Sequence, residues 1–182
     1  MAIKTFLLEN SGNKKKRHQD VRKAVKEYLE NDKARVYYDD KGRPGVDGTK
    51  DKKYISITTT GTVMLCILSD SPVGIDGEYL PRFTKDETHN PDYVALAERF
   101  FSDDEAEYVR DGAGTEWERF VRIWTRKEAY VKCVGKTVAD FPNFSVVEGT
   151  KLLPKVNGVP IKKFNMNFPD CENYFFSIAG LE

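Results

Sequence analysis

Val63-Met64-Leu65-Cys66-Ile67-Leu68-Ser69-Asp70-Ser71-Pro72-Val73-Gly74-Ile75-Asp76-Gly77-Glu78 is the stretch on which the reading of the fold turns. Its first six residues, with Thr62, form an apolar strand, Ser69–Pro72 has the composition of a turn, and Val73–Glu78 reads as a further strand. Tyr54–Ile57, set apart by Thr58-Thr59-Thr60-Gly61, supplies a third, so the spacing predicts a small antiparallel meander. Upstream, residues 3–8 alternate as a strand, and Val21, Val25, Tyr28 and Leu29 recur at helical spacing within a basic helix over 14–31. A short strand at Arg35–Tyr38 runs into the turn composition of residues 39–45, and a loop continues to about Lys53.

Downstream, Asn90 and Pro91 suit the cap and first turn of a helix to Phe101, and Ser102 suits the cap of a second over 103–110. Trp117, Phe120, Val121, Trp124 and Val131 keep helical spacing over 115–134. Residues 144–147, 151–156, 159–165 and 174–178 read as strands, with Asn157-Gly158 as a hairpin turn. Each half holds a helix followed by a sheet. The expectation is an α+β fold of two α/β lobes, approximately 1–84 and 85–182, with any site at their junction.

The 182 residues are 40% hydrophobic and 32% charged with a net charge of zero, a composition outside the disordered and membrane classes. The longest apolar run, Val63–Leu68, is far short of the ~20 residues that span a bilayer. The N-terminal apolar run ends in Glu9 without a small-residue cleavage site, so no signal peptide is expected. Cys66, Cys133 and Cys171 show no metal-type pairing and read as reduced thiols, which points to the cytoplasm. A net charge of zero argues against a nucleic-acid partner. Charge is nevertheless uneven: residues 1–23 carry a balance of +5 and residues 86–118 one of −9, which reads as solvated helix surface.

Two segments carry chemistry. Side chains alternate along a strand, so Asp76 and Glu78 share a face at roughly 7 Å, a reach suited to one cation. Carboxylate oxygens are the hard ligands magnesium prefers. Taken alone, two acids so spaced are a solvated strand end. In Trp124-Thr125-Arg126-Lys127-Glu128-Ala129-Tyr130-Val131-Lys132, Trp124, Glu128 and Lys132 fall at i, i+4 and i+8 and form one helical stripe, with Lys127 beside it. Burying that stripe without partners for Glu128 and Lys132 would cost several kcal/mol, and a metal with phosphates would supply them.

Together these segments resemble the signature of the 4′-phosphopantetheinyl transferase superfamily, surfactin-synthetase-activating type. Gly74–Glu78 matches its G-[IV]-D-x-E motif, Trp124–Lys132 its W-x-x-K-E-[AS]-x-x-K motif, and Arg99-Phe100-Phe101-Ser102-Asp103-Asp104-Glu105 the segment between them. The likeness covers about residues 54–148. It implies a pseudo-dimer fold within one chain, a monomer, and transfer of the phosphopantetheine arm of coenzyme A to a serine of an acyl or peptidyl carrier protein. Asp76, Glu78 and Glu128 would hold magnesium, Lys132 would neutralise the leaving phosphate of 3′,5′-ADP, and Lys127 would support the phosphates. Glu128 would take the serine proton. Arg43, in Gly42-Arg43-Pro44, matches a basic residue bordering the nucleotide, and Arg22 with Lys14–Arg17 falls where the 3′-phosphate is met.

Two positions leave the family pattern. Thr58-Thr59-Thr60-Gly61 stands where S-H-S-G is usual, so the resemblance puts Thr58 and Thr59 at the cofactor with Thr59 in place of a histidine near the 3′-phosphate, and Gly77 replaces a branched residue between the metal acids. The first raises the alternative of a non-catalytic module that binds coenzyme A or a carrier protein. A magnesium phosphatase or nuclease would draw on the same carboxylates.

Overall fold

The computed structural model describes residues 3–40, 42–84 and 91–181. Strand β1 (Ile3–Glu9) leads into helix α1 (Lys14–Leu29), then β2 (Arg35–Tyr38), β3 (Pro44–Asp47), β4 (Tyr54–Thr60), β5 (Val63–Ser69) and β6 (Gly74–Tyr79). Helices α2 (Tyr93–Phe100), α3 (Asp103–Arg110) and α4 (Glu116–Val134) follow. The chain ends with β7 (Val147–Glu148), β8 (Lys151–Leu152), β9 (Lys155–Val156), β10 (Val159–Lys163) and β11 (Tyr174–Ala179). The fold is mixed α+β, as expected, with several sheets.

The expected meander is only half formed. β5 pairs antiparallel with β1 and β4, but β6 lies in a second sheet of order β6-β11-β10-β9. Strand β6, from the first half of the sequence, thus shares a sheet with β11 near the end of the second. Side chains take over where the backbone pairing stops: Ser56, Thr58 and Thr60 of β4 accept hydrogen bonds from the N–H groups of Ile75, Gly77 and Tyr79 at 3.0, 3.1 and 2.8 Å. The edge of β6 away from β11 therefore keeps its donors satisfied through a ladder of hydroxyls.

Alternation along β5 builds two cores. Met64, Cys66 and Leu68 face Val21 and Val25 of α1, whereas Leu65 and Ile67 face Ile75, Phe176 and Ile178 of the second sheet. The opposite face of β6 and β11 meets α4, where Thr125 and Ser177 hydroxyls lie 2.9 Å apart. A third core joins α2, α3 and α4 around Phe101, Phe120, Ile123 and Phe141. Each such buried side chain contributes about 1.5–3 kcal/mol.

Several boundaries differ from the sequence expectation for local reasons. β4 runs on through Thr60, and Gly61 at φ 52° leads a two-residue turn directly into β5. Helix α2 starts later than expected because Asp92 caps it, accepting from Val94 and Ala95 N–H, which leaves Pro91 outside. Asn90, the expected cap, lies outside the described residues. Pro154 divides the expected strand 151–156 into β8 and β9, and most of 144–147 follows a 3-10 turn at Val138–Asn143.

Candidate active site

Close backbone approach places the candidate residues. A Cβ built on Gly74 would stand 1.9 Å from the carbonyl oxygen of Ala129 and 2.6 Å from the backbone nitrogen of Cys133, so only glycine lets β6 lie this near α4. Two residues on, Asp76 sits opposite Ser177 and Glu78 opposite Phe175 in the register with β11. Facing pairs in an antiparallel ladder share a side, so both acids look toward the helix. Gly77 points the other way, where the Phe176 ring would be 2.0 Å from an added Cβ. The missing branched side chain is thus replaced by a phenylalanine from the neighbouring strand, and Gly77 does not approach a ligand.

The charges at this seam are asymmetric. Asp76 Oδ1 accepts from Lys132 Nζ at 2.6 Å and from the Thr58 hydroxyl at 3.2 Å, while Asp76 Oδ2 is buried without a hydrogen-bond partner among the described residues. Lys132 Nζ also donates to the Ile75 carbonyl at 3.2 Å. Glu78 is paired with the exposed Arg82 at 3.2 Å. Glu128 is half-buried on the same helix face as Lys132. Burial pushes all three carboxyl groups up, Glu78 to about 7. Asp76 adds repulsion at both Glu78 and Glu128, and Lys132 opposes the rise at all three, so the four groups form one electrostatic cluster. Among the described residues, no three His, Cys, Asp or Glu side chains stand in a metal-holding arrangement as they are. The orphaned Oδ2, two half-buried acids and an all-oxygen donor set nonetheless suit a hard divalent cation.

Two cavities lie at the ends of the same seam. One of about 270 Å³ adjoins Lys132 and Cys133 and is lined by Arg43, Lys52, Lys53, Tyr37 and Tyr54. Arg43 is held there by Asp39 at 2.8 Å and by the carbonyl of Gly135, just past the end of α4, also at 2.8 Å. The other, of about 460 Å³, lies beside the first half of α4 and is walled by Trp117, Val121, Phe164, Met166 and Phe175. The first is cationic and aromatic, and the second sets apolar and aromatic side chains beside the charged Glu118, Arg122, Lys163 and Glu172.

The structure gathers Asp76, Glu78, Glu128, Lys132 and Thr58, and sets Arg43 on the adjoining cavity. Lys127 does not join them. Its side chain is fully buried on another face of α4, donating to Glu105 and to the Phe144 carbonyl at 2.5 Å each, with the Phe101, Phe141 and Phe144 rings around it. Burial lowers its pKa and the Glu105 carboxylate opposes that. Lys127 therefore fixes α4 against α3 and residues 144–146, and a role at the phosphates does not fit this position. Glu105 completes the hub by accepting from Val146 N–H at 2.8 Å and from Ser102. Its signal in the sequence is the capping pattern Ser102-x-x-Glu105.

Arg22 donates to the Val36 carbonyl at 3.1 Å and stands with Lys14 and Arg17 around His18, whose ring stacks on Tyr38 at 3.9 Å. Thr59 is exposed on the α1-facing side of β4, opposite to Thr58 and Thr60. Thr58, expected to contact the cofactor, instead spends its hydroxyl on Asp76 and Gly77.

A sequence model of the 4′-phosphopantetheinyl transferase superfamily matches residues 72–175, which include β6 and α4. The chain is similar to the 4′-phosphopantetheinyl transferase gsp of Aneurinibacillus migulanus, with 29% identity over 52% of this chain and 35% of the relative. It is likewise similar to the 4′-phosphopantetheinyl transferase psf-1 of Bacillus pumilus, with 31% identity over 47% of this chain and 34% of the relative. A putative 4′-phosphopantetheinyl transferase of Synechocystis, slr0495, shares 29% over 56% of this chain and 40% of its own length. The alignments thus span little more than a third of these relatives.

Proposed function

This chain belongs to the 4′-phosphopantetheinyl transferase superfamily, and from that premise we propose that it transfers the phosphopantetheine arm of coenzyme A to a serine of an acyl or peptidyl carrier protein, with magnesium, releasing 3′,5′-ADP. The observation that carries the reading is the juxtaposition across the seam: Lys132 lies 2.6 Å from Asp76 Oδ1 while Asp76 Oδ2, buried, has no partner among the described residues. Asp76, Glu78 and Glu128 would hold the metal ion, whose contribution when bound is to offset charge at the pyrophosphate.

The chain's own groups do the rest. The cationic cavity beside Lys132 suits the nucleotide's 5′-phosphates, with Arg43, Lys52 and Lys53 as counter-charges and tyrosine rings for the base. The side chain of Lys132 is 30% exposed, and two of its three N–H donors are used, by Asp76 and Ile75. The third, unused among the described residues, would meet the phosphate of the departing nucleotide. Glu128, pushed up by burial, is suited to accept the serine proton as the serine oxygen attacks the pantetheine-side phosphorus and the bond to the nucleotide phosphate breaks. The exposed Thr59, with Arg22 and Lys14–Arg17 on the same side, is the proposed region of the 3′-phosphate.

The pseudo-dimer description, the division near residue 84, a monomeric state and a cytoplasmic location belong to the same proposal. Incubation with coenzyme A, magnesium and an apo carrier protein tests it: a carrier heavier by one phosphopantetheine supports transfer. Binding of coenzyme A without any mass gain would favour the non-catalytic alternative.

A further inference from the structure

We propose that Thr58 is the positioning residue of the acid cluster, fixing which oxygen of Asp76 is presented to a cation. The inference rests on the reading of Asp76 as a metal ligand. Three hydroxyls of β4 face β6, and each accepts an N–H from it. Thr58 alone of the three also reaches a carboxylate, Asp76 Oδ1 at 3.2 Å. Its polarity follows from the partners: Gly77 N–H donates to the threonine oxygen at 3.1 Å, so the hydroxyl's single proton is left for Asp76.

Lys132 donates to that same Oδ1 at 2.6 Å, from the opposite side of the seam. One oxygen thus receives two donors, one from β4 and one from α4, while the other, within a buried site, receives none from the described residues. A carboxylate held at one oxygen from two directions cannot exchange its oxygens by rotation without breaking both bonds. Oδ2 is therefore the ligand atom, and Thr58 keeps it so. Ser56 and Thr60 serve as the internal comparison, because they hold β4 to β6 in the same way without touching an acid.

The test measures Mn²⁺ binding in the presence of coenzyme A by electron paramagnetic resonance, without carrier protein, alongside thermal melting. Thr58→Val is expected to weaken Mn²⁺ roughly tenfold, in line with the loss of a hydrogen bond to a charged group, whereas Thr58→Ser binds as the wild type does. Thr60→Val is expected to lower the melting temperature yet leave Mn²⁺ affinity within about twofold. Should the valine variant fail to fold, Thr58→Cys, with its weak donor, is expected to show the same loss of affinity. Equal affinities for Thr58→Val and Thr60→Val would overturn the inference. Asp76→Asn separates the two readings: if it abolishes Mn²⁺ binding while Thr58→Val does not change it, the role of Thr58 alone fails. If Asp76→Asn binds Mn²⁺ normally, the metal-ligand reading itself fails.

Discussion

Gly74→Ala should open the seam on which the candidate site depends. The added Cβ would lie 1.9 Å from Ala129 O and 2.6 Å from Cys133 N, both backbone atoms of a helix that also packs on β11. Neither atom can turn aside as a side-chain tip would, so β6 and α4 must separate by roughly 1 Å or more. Overpacking of this kind costs about 2–3 kcal/mol, which for a chain of this length lowers Tm by roughly 5–10 °C. The same retreat stretches the 2.6 Å bond between Lys132 and Asp76 to roughly 3.6 Å, beyond hydrogen-bond range. Urea and thermal denaturation read the first effect, and the acylation rate of the Lys132 amine, followed by mass spectrometry, reads the second. Gly77→Ala serves as the control, since its clash is with the Phe176 ring on the far face of β6. It should lose stability while leaving Lys132 as protected as in the wild type. Wild-type stability and unchanged Lys132 reactivity in Gly74→Ala would refute the close-approach argument.

Lys127→Met should destabilise the fold by about 3–5 kcal/mol, because it strands the Glu105 carboxylate with both side chains fully buried, whereas Lys132→Met should cost far less stability and lose carrier modification instead; denaturant midpoints and the transfer assay separate them. Metal-free protein should lose stability as pH rises from about 4.5 to about 7, since burial makes native Glu78 keep a proton that the unfolded chain has already shed, and Asp76 and Glu128 shift in the same direction. With Glu78 only 13% exposed at the side chain but still reached by solvent, its part is about 2 kcal/mol or less, and Glu78→Gln should flatten the slope in melts taken across that range. Thr59→His should lower KM for coenzyme A below pH 7, where imidazolium is populated, and leave KM for dephospho-coenzyme A unchanged; equal effects on the two would separate position 59 from the 3′-phosphate.

Much of this arrangement was legible in the residues, and the exceptions have physical causes. Helices α1 and α4 declare themselves because their apolar positions recur with the helical period, and α3 because Ser102 stands at its start. The pairing of β6 was not legible, because a four-residue turn after β5 suggests a hairpin, and the true partner β11 lies about 100 residues further along. A trace of it was present: the alternating hydroxyls Ser56, Thr58 and Thr60 form a polar stripe on a strand whose other face carries Ile55 and Ile57. Lys127 was misplaced by its adjacency to Glu128 in sequence. Its helical neighbours are Phe120, Ile123 and Val131, all buried, so its spacing assigned it to the core face while Glu128 and Lys132 share another. Gly74 and Gly77 could be noticed in the sequence, but only three-dimensional packing reveals that one admits a helix backbone and the other an aromatic ring.

The central claim is that the acids and the lysine at the seam between β6 and α4 carry out the transfer. Its most direct test compares wild-type protein and Glu128→Gln, each confirmed as folded, by intact mass spectrometry of an apo carrier protein incubated with coenzyme A and magnesium. The account predicts that the wild type adds one phosphopantetheine per carrier serine, and that the variant loses this activity by orders of magnitude. Modification of the carrier by Glu128→Gln at the wild-type rate would contradict it.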